Sequence, residues 1–385
     1  MLSFWEQESF LQYDYIVIGS GIVGLSTAIS IRERSPKARV LVIERGALPT
    51  GASTRNAGFA CIGSLTEILA DLQTMTPAMV QALVATRREG LQLLRARLGD
   101  ARIGYEEAGS YELISDAALP ALENLHEVNA LLEPVLEGDA FSIATSKVAA
   151  FGFDHHSVRS LVQNHFEGGL HSGKMMRALL DLALQHGIEI KTGCDVTQLE
   201  TTETGIRVTV QASGMSPVPL RAREVAVCTN AFTKTLFPDL NLQPGRGQVL
   251  ITEPVKDLSF KGIFHLEGGY YYFREIEGRI LLGGGRNMDF AGETTTDFAL
   301  NERIQTDLDE KLQYVILPGR EVKVESRWTG IMAFGANKQP IVEQHAPHIF
   351  LGVRMGGMGV AIGSAVGEQL AALMVPANEV TQYTF

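Results

Sequence analysis

The feature that most constrains this chain is a glycine motif near its start. A short apolar segment, Tyr15-Ile-Val-Ile18, leads into Gly19-Ser-Gly-Ile-Val-Gly24, and residues 25–34 have the composition of a helix. A second apolar segment, residues 39–43, ends on Glu44, 20 residues after Gly24. This order predicts a strand, a glycine turn, a helix and a second strand, which is the start of a dinucleotide-binding Rossmann fold.

Each glycine of the motif is needed for a different physical reason. Gly19 permits the tight turn, Gly21 lets the backbone approach a pyrophosphate, and Gly24 lets the helix pack closely on the strand. The helix then begins with free amides and a partial positive charge, which places Ile22 and Val23 beside the phosphates. We therefore predict that all five residues bind a dinucleotide.

Glu44 is predicted to accept hydrogen bonds from a ribose diol, and its charge disfavours the 2′-phosphate of NADP. The motif alone does not separate NAD from FAD. The loop that follows, Gly51-Ala-Ser-Thr-Arg-Asn-Ala-Gly58, offers small residues, hydroxyls and one cation, which suits a long cofactor with a central pyrophosphate. The loop residues predicted to bind it are Ser53, Thr54, Arg55, Asn56, Ala57 and Gly58.

Composition narrows the functional classes. The 385 residues, of which 45% are hydrophobic and 20% charged, contain enough apolar material for a globular core. The net charge of −11 attracts neither nucleic acid nor an anionic membrane surface. Three widely spaced cysteines, Cys61, Cys194 and Cys228, fit neither a disulfide framework nor a CxxC site. With an N-terminus that lacks the features of a secretory signal, they predict a cytoplasmic protein without a membrane span.

Hydrophobic periodicity predicts alternating helices and strands after the cofactor loop. Predicted helices cover residues 66–98, with a break near Thr76-Pro77, and residues 117–132, 174–186, 301–317 and 361–374. Predicted strands cover residues 188–191, 205–210, 224–228, 249–252, 270–274, 279–282, 322–328 and 349–353. The strands between residues 247 and 285 are separated by short glycine-containing turns, which favours an antiparallel sheet there.

The sequence from Glu44-Arg45 through Gly-Ala-Ser-x-Arg-Asn-x-Gly resembles the amine oxidase branch of the D-amino acid oxidase-like flavoproteins. That branch includes glycine oxidase and γ-glutamylputrescine oxidase-like enzymes. Later segments resemble the same family in the same order: Val227-Cys-Thr-Asn-Ala231, Arg246-Gly-Gln248, residues 270–274 and 281–285, Arg327-Trp-Thr-Gly330 and Met355-Gly-Gly-Met-Gly-Val360. The resemblance implies that the cofactor is FAD.

The resemblance also implies further FAD-binding residues. They are Arg45, Val196, Thr229, Asn230, Gly330, Gly356, Gly357, Met358, Gly359 and Val360. The glycines of the last segment would let backbone lie against a flat ring, and the helix that follows would direct its positive end towards reduced flavin. Family members transfer a hydride equivalent from a carbon that bears an amine to flavin N5, and water hydrolyses the resulting imine.

The fold expected is α/β, with a Rossmann-type FAD-binding domain interleaved with a substrate domain built on a mostly antiparallel sheet with helices. Residues 1–64, 147–231 and 329–385 are assigned to the FAD-binding domain. Residues 65–146 and 232–328 are assigned to the substrate-binding domain. The interleaving follows because the first glycine motif, the Thr229-Asn230 segment and the 356–359 loop must converge on one cofactor.

The substrate site departs from the family pattern. Met332 stands where the family often has the arginine that binds a substrate carboxylate, and Met355 and Met358 replace two histidines, which makes the predicted pocket more apolar. Arg286 and Arg354 are the remaining candidate cations. The substrate is an amino acid if one of them reaches the pocket, and a more apolar or neutral amine if neither does. Tyr270 is the tyrosine that the resemblance aligns with the substrate.

The histidine pairs His155-His156 and His345-x-x-His348 lack a carboxylate or cysteine at useful spacing, so no metal is predicted. The predicted function is FAD-dependent oxidation of a C–N bond in an amino acid or other amine, with oxygen or another electron acceptor. Because Met332 weakens the usual site, a flavin-carrying subunit with structural or electron-relay FAD is the alternative. An NAD-dependent dehydrogenase would need a nicotinamide pocket that the sequence does not reveal. Homo-oligomerisation is left open.

Overall fold

The buried segment Tyr15-Ile-Val-Ile18 lies in the middle of one of two large sheets that organise the chain. The structure is a computed structural model that describes residues 3–376; residues 1, 2 and 377–385, which the predicted FAD-binding domain included, lie outside the described residues. The strands are β1 Gln12–Ile18, β2 Val40–Ile43, β3 Phe59–Ala60, β4 Ser110–Ile114, β5 Phe141–Ile143, β6 Ser160–Asn164, β7 Gly168–Gly169, β8 Glu189–Lys191, β9 Cys194–Thr202, β10 Gly205–Ala212, β11 Val218–Val227, β12 Gln243–Thr252, β13 Ile263–Leu266, β14 Tyr271–Ile276, β15 Arg279–Gly284, β16 Val324–Phe334, β17 Ile341–Ala346 and β18 Ile349–Val353.

The helices surround these sheets and connect them. They are α1 Phe4–Phe10, α2 Ile22–Arg34, α3 Ala52–Arg55, α4 Leu65–Leu72, α5 Pro77–Leu98, α6 Asp100–Ile103, α7 Leu125–Leu136, α8 Lys147–Phe151, α9 Ser172–Gln185, α10 Glu302–Lys311 and α11 Gly359–Met374, with 3₁₀ turns at Asp116–Asn124, Asn230–Thr235 and Arg286–Met288 and a π turn at Leu312–Ile316. Within the described residues, no helix is long and apolar enough to cross a membrane.

The first sheet confirms the Rossmann prediction. Its strand order is β17-β18-β11-β1-β2-β8, and β18, β11, β1, β2 and β8 run parallel. The hairpin β9–β10 is attached antiparallel to β11. Helices α2 and α11 pack together against this sheet, and α5 packs against α11. The start, middle and end of the chain therefore contribute neighbouring parallel strands, and the predicted interleaving is confirmed.

The second sheet has the order β16-β12-β15-β14-β13-β4-β6-β5. All its neighbours are antiparallel except β13 and β4, which run parallel. Strand β6 and the second half of β16 belong to this sheet, although the sequence assigned residues 147–231 and 329–385 to the FAD-binding domain. Both differences arise because the sequence of a strand does not show which sheet the strand will join, and this holds for the short β6 as well as for the long β16. The domain boundaries themselves stay a prediction.

Several helices differ from their predicted bounds. The break at Thr76-Pro77 is confirmed, since the Thr76 hydroxyl caps α5 and Pro77 occupies its first turn. The predicted helix 117–132 is instead a 3₁₀ turn that contains Pro120, followed by α7. Proline cannot donate the backbone hydrogen bond that a continuous α-helix would need, so the helix begins only after it.

The contact of α5 with α11 generates a stability prediction. A Cβ atom added at Gly90 would lie 2.2 Å from the carbonyl oxygen of Ala361. Alanine is favoured over glycine in a helix by about 1 kcal/mol. Here the overlap with Ala361 forces the helices apart, so alanine at position 90 destabilises the protein instead. We expect Gly90→Ala to lower the free energy of unfolding by about 1–3 kcal/mol, measured by urea titration. The exposed neighbour Glu89→Ala should leave it within about 0.5 kcal/mol of wild type.

Candidate active site

A cavity of about 670 Å³ lies between the carboxyl ends of the parallel strands and one face of the second sheet. Ile18, Ile43 and Cys228 mark the ends of the parallel strands, where open α/β sheets bind their ligands. Sequence-predicted residues that line it are Gly19, Gly21, Ile22, Val23, Glu44, Arg45, Ser53, Arg55, Asn56, Ala57, Val196, Thr229, Asn230, Tyr270, Arg286, Gly330, Met332, Gly356, Gly357, Met358, Gly359 and Val360. Gly24, Thr54, Gly58 and Arg354 do not line it.

The glycine motif is packed as tightly as a pyrophosphate cradle requires. Gly19 has φ +103°, and a Cβ there would lie 2.9 Å from the Cys228 carbonyl oxygen. A Cβ at Gly24 would lie 1.9 Å from the Gly19 carbonyl oxygen, so Gly24 serves helix–strand packing and not direct contact. Gly21 precedes the first residue of α2 and leaves the backbone open to the cavity.

Glu44 is buried at the end of β2 and is held in place by the turns around it. Its Oε2 accepts hydrogen bonds from the backbone amide and hydroxyl of Ser20, at 3.2 and 2.7 Å, and its Oε1 accepts one from the Gly46 amide at 2.9 Å. The carboxylate is therefore fixed on the cavity wall beside the glycine motif. This is the position that a ribose-binding carboxylate needs.

The cofactor loop is ordered by its own polar side chains. Ser53 accepts a hydrogen bond from the Ile22 amide at 3.0 Å, which joins the loop to α2. Arg55 donates to the carbonyls of Thr50 and Thr329 at 3.0 and 2.9 Å, and the Thr54 hydroxyl donates to the Pro49 carbonyl. The loop cation thus fixes backbone, whereas the sequence suggested a phosphate partner.

Asn56 and Gly58 have mainly structural contacts. The Asn56 side-chain amide donates hydrogen bonds to the carbonyls of Ala52 and Ser53, and its Oδ1 accepts one from the Gly58 amide at 2.8 Å. Gly58 has φ +75°, and a Cβ there would lie 2.0 Å from the Leu170 carbonyl oxygen. Sequence reasoning could not separate these roles, because loop-bracing and ligand-binding residues are of the same types.

The closing loop presents bare backbone and a helix end to the cavity. Gly356 and Gly357 have φ of +58° and +90°, values that favour glycine. Met358 precedes α11 and gives it no side-chain cap, so the first turn of this helix of 16 residues keeps amides free for a ligand. Thr229 and Asn230 also line the cavity, and Asn230 Oδ1 accepts a hydrogen bond from the Arg354 amide at 3.1 Å, next to the closing loop. Arg45 stacks on the Phe232 ring at 3.7 Å.

These features fit FAD. A glycine cradle, a fixed carboxylate and two helix N-termini, those of α2 and α11, surround one long cavity. The glycine motif and Glu44 would hold the pyrophosphate and ribose, and the closing loop would lie against the flat ring. The predicted cofactor residues that line this cavity are therefore brought together by the fold.

The second sheet supplies the other wall. Val249, Gly283, Tyr272 and His265 are cross-strand neighbours in one row across β12, β15, β14 and β13. Tyr272 is half-buried in this wall, and burial raises the pKa of its phenol to about 12. Tyr270, the predicted substrate tyrosine, is 45% exposed and contacts Phe290, so it lies at the edge of the wall. Alternation puts Tyr270 and Tyr272 on the same face, so only the start of β14 at Tyr271 distinguishes Tyr272.

Of the two candidate arginines, the structure brings only Arg286 to the cavity. Its guanidinium stacks on the rings of Phe334 and Phe290 at 4.1 and 5.1 Å, and its buried Nε has no hydrogen-bond partner among the described residues. Arg354 instead donates to the carbonyls of Gln339 and Asn241, both at 3.0 Å. Its side chain is occupied in holding backbone.

The methionines occupy the positions that the sequence indicated. A Cβ built at Gly247 would lie 3.0 Å from Met332 Cε, and one built at Gly357 would lie 3.8 Å from Met332 Sδ. Met332 therefore bridges the sheet wall and the closing loop. The Met358 sulfur lies 3.6 Å from Cys61 Sγ. The cavity is accordingly apolar at the positions where the family often has an arginine and two histidines.

A buried polar cluster adjoins the wall. His265 Nδ1 and Nε2 lie 3.9 and 3.6 Å from carboxylate oxygens of Glu67 and Glu167. Burial opposes protonation of His265, but Glu167, Glu67 and Glu112 raise its pKa above the usual value. No sequence motif marks this cluster, because its members come from four separate segments.

Cys61, Glu167 and His265 also place three ligand-type atoms within 4.8 Å of one another. The Glu167 oxygens already accept hydrogen bonds from the amides of Ile62 and Gly63, at 2.7 and 2.8 Å, and from the Ser110 hydroxyl at 2.5 Å. Burial raises the pKa of the Cys61 thiol well above its usual value. We therefore assign the cluster no metal, and the absence of a metal stays a prediction.

The cradle geometry predicts the effect of two substitutions on FAD content. A Cβ at Gly21 would lie 2.9 Å from Ser53 Oγ, so Gly21→Val displaces the loop and blocks the pyrophosphate. Glu44→Ala removes the ribose acceptor, a loss of about 1–3 kcal/mol. Both proteins should purify with less flavin, measured by the ratio of absorbance at 450 and 280 nm, whereas the exposed Glu321→Ala should match wild type. Full occupancy in Gly21→Val would contradict the assignment.

Comparisons with known proteins agree with this fold and with FAD as the cofactor. L-2-hydroxyglutarate dehydrogenase, mitochondrial, of Nematostella vectensis is 24% identical over 371 residues, covering 88% of this chain and 75% of that protein. Glycine oxidase from Geobacillus kaustophilus has a TM-score of 0.76 at 17% identity, covering 97% of this chain and all of that one. L-proline dehydrogenase from P. horikoshii has a TM-score of 0.74 at 17% identity, covering 94% and 93%. The family described as DAO, FAD dependent oxidoreductase, matches residues 14–373, and the chain belongs to this family of FAD-dependent enzymes.

Proposed function

We propose that this enzyme oxidises the C–N bond of an amino acid whose carboxylate is bound by Arg286. The observation that carries the proposal is that Arg286 faces the cavity without a carboxylate partner. Arg286 lines the cavity, and its guanidinium makes no ion pair or hydrogen bond with any residue between 3 and 376. Burial lowers its pKa from the ordinary value, but a guanidinium stays protonated at neutral pH.

The environment of Arg286 favours a carboxylate ligand. Phe334 and Phe290 hold the guanidinium plane and restrict its rotation, so little conformational freedom is lost when an anion binds. A half-buried guanidinium with unfilled donors gains more from a carboxylate than an exposed one, since bidentate charge-assisted hydrogen bonds are strong. Arg286 thus takes the place of the arginine that Met332 replaces, from the 3₁₀ turn after β15.

The other residues around this point suit an amine substrate. Bound FAD would supply a hydride acceptor at N5. Tyr272 keeps its proton because burial raises the pKa to about 12, so its hydroxyl can donate a hydrogen bond to a substrate oxygen across the physiological range. Met332 and Met358 line the cavity, and their apolar side chains would limit the access of water to the reacting carbon. The amine can lose its proton to solvent before oxidation, so no general base is required.

A second candidate is oxidation of a 2-hydroxy acid, and His265 is the observation that favours it. An alcohol holds its proton more firmly than an amine, so its oxidation calls for a base, and His265 lines the cavity. Nearby carboxylates raise the pKa of His265 above its usual value, so the imidazole accepts a proton from a substrate less readily than a free histidine would at the same pH. This candidate therefore requires activity that rises with pH as His265 deprotonates. The relative in Nematostella vectensis is named for a 2-hydroxy acid substrate.

The electron acceptor and assembly stay proposals. Oxygen or a separate acceptor could reoxidise the flavin, and a homo-oligomer is compatible with the sequence. The alternative function, a flavin-carrying subunit with structural or electron-relay FAD, requires that no small amine or hydroxy acid reduces the bound flavin under anaerobic conditions.

Substitution of Arg286 tests the proposed function. We expect Arg286→Ala to slow anaerobic flavin reduction by the best amino acid about 10- to 150-fold at low substrate concentration, which corresponds to the 1.5–3 kcal/mol of a charged hydrogen-bonded pair. The measurement is stopped-flow absorbance at 450 nm. Arg286→Lys should recover part of the rate, and Arg320→Ala, at a position outside the cavity, should not change it. An unchanged rate in Arg286→Ala would exclude the carboxylate role.

Substitution of Tyr272 tests the donor role. Loss of one neutral hydrogen bond costs about 0.5–1.5 kcal/mol, so Tyr272→Phe should reduce the same rate about 2- to 13-fold. Since the pKa of Tyr272 is near 12, the wild-type rate should show no decline from tyrosine ionisation between pH 7 and 10. The exposed Tyr314→Phe serves as control. A wild-type rate in Tyr272→Phe would show that the hydroxyl does not contact the substrate.

A further inference from the structure

One face of helix α4 and the turn after it forms a separate part of the cavity wall. Glu67, Ala70, Asp71, Thr74 and Met75 all line the cavity, and their spacing of three or four residues places them on one side of the helix. We call these five residues the α4 wall. None of them was predicted to bind FAD, and none comes from the Rossmann sheet or the wall that carries Arg286.

The α4 wall contains a buried carboxylate with spare capacity. Asp71 is only 4% exposed, and its Oδ1 pairs with Lys338 Nζ at 2.8 Å. Its Oδ2 is buried and has no hydrogen-bond partner among residues 3–376. A buried carboxylate oxygen without a donor is unfavourable, and a donor supplied from the cavity would satisfy it.

Glu67 adds a second negative charge one turn earlier. Its Oε2 accepts a hydrogen bond from the Ser64 amide at 3.1 Å and faces His265. Burial favours the neutral form, but the charges of His265 and Lys338 hold the pKa of Glu67 below its usual value. The carboxylates of the α4 wall thus face a cavity whose other wall carries the cation Arg286.

We propose that the α4 wall binds a distal ammonium group of the substrate through Asp71, while Arg286 binds the substrate carboxylate. The substrate is then an extended amino acid with a second amine, such as lysine or ornithine. This inference rests on the proposed function, since it takes the carboxylate at Arg286 as given. Asp71 becomes a residue that determines specificity and takes no part in the chemical step.

Binding of unreactive ligands tests the inference apart from turnover. Pairs of ω-aminoalkanoates and alkanoates, with four to six carbons, share a carboxylate and chain but differ in the distal ammonium. Each would be titrated into the FAD-loaded enzyme while the flavin spectrum is followed. We expect at least one aminoalkanoate to bind ten-fold more tightly than its alkanoate. The advantage should disappear in Asp71→Asn and persist in Asp181→Asn, which changes an exposed carboxylate outside this cavity.

A second variant keeps the test sound if Asp71→Asn fails to fold. Lys338→Met leaves Asp71 without its partner, so the advantage of the aminoalkanoate should be maintained or increased. Equal dissociation constants for every pair, or an advantage that survives Asp71→Asn, would overturn the inference. Flavin reduction then separates the two proposals. If norleucine reduces the flavin as fast as lysine, only the inference fails; if no amino acid reduces it, the proposed function fails.

Discussion

The close approach of α2 to the turn after β1 is the constraint on which the rest of the structure depends. A side chain at Gly24 would overlap the Gly19 carbonyl, so only glycine lets the helix begin where the strand ends. That approach leaves the backbone at Gly21 open and aligns the start of α2 with the cavity. Ser53 then joins the next loop to the same helix through the Ile22 amide. One packing contact therefore positions the cofactor loop as well as the cradle.

The cavity also depends on interleaving. The parallel strands β1, β11 and β18 come from the beginning, middle and end of the chain, and their neighbouring carboxyl ends bring together the three segments that are predicted to bind FAD. Strand β16 continues beyond Trp328 along the second sheet and carries Gly330 and Met332 to the cavity. One strand therefore carries both a predicted cofactor residue, Gly330, and a predicted substrate residue, Met332.

The sequence predicted the cofactor half better than the substrate half, for a physical reason. The cradle is local: Gly19, Gly21 and Glu44 are fixed by a turn and two strands that are close in sequence. The substrate wall is assembled across β12, β15, β14 and β13, so Tyr272 becomes distinguishable from Tyr270 only when the strand bounds are known. No sequence pattern identifies His265 as a site residue, because its carboxylate partners lie far away along the chain. Arg354 was a reasonable candidate until the structure placed its guanidinium on backbone carbonyls.

Charge distribution separates the roles of two arginines near the cavity, the buried Arg246 and the half-buried Arg286. Arg246 is bonded in a bidentate pair with the fully buried Glu293, at 2.8 and 2.9 Å, so it stabilises the segment after β15. Arg286 lies at the start of that same segment without an anion of its own. Removing a partner from a buried pair is costly, so Arg246 cannot release Glu293 to bind a ligand. Arg286 has no partner to release, and this difference makes it the group that a substrate carboxylate would neutralise.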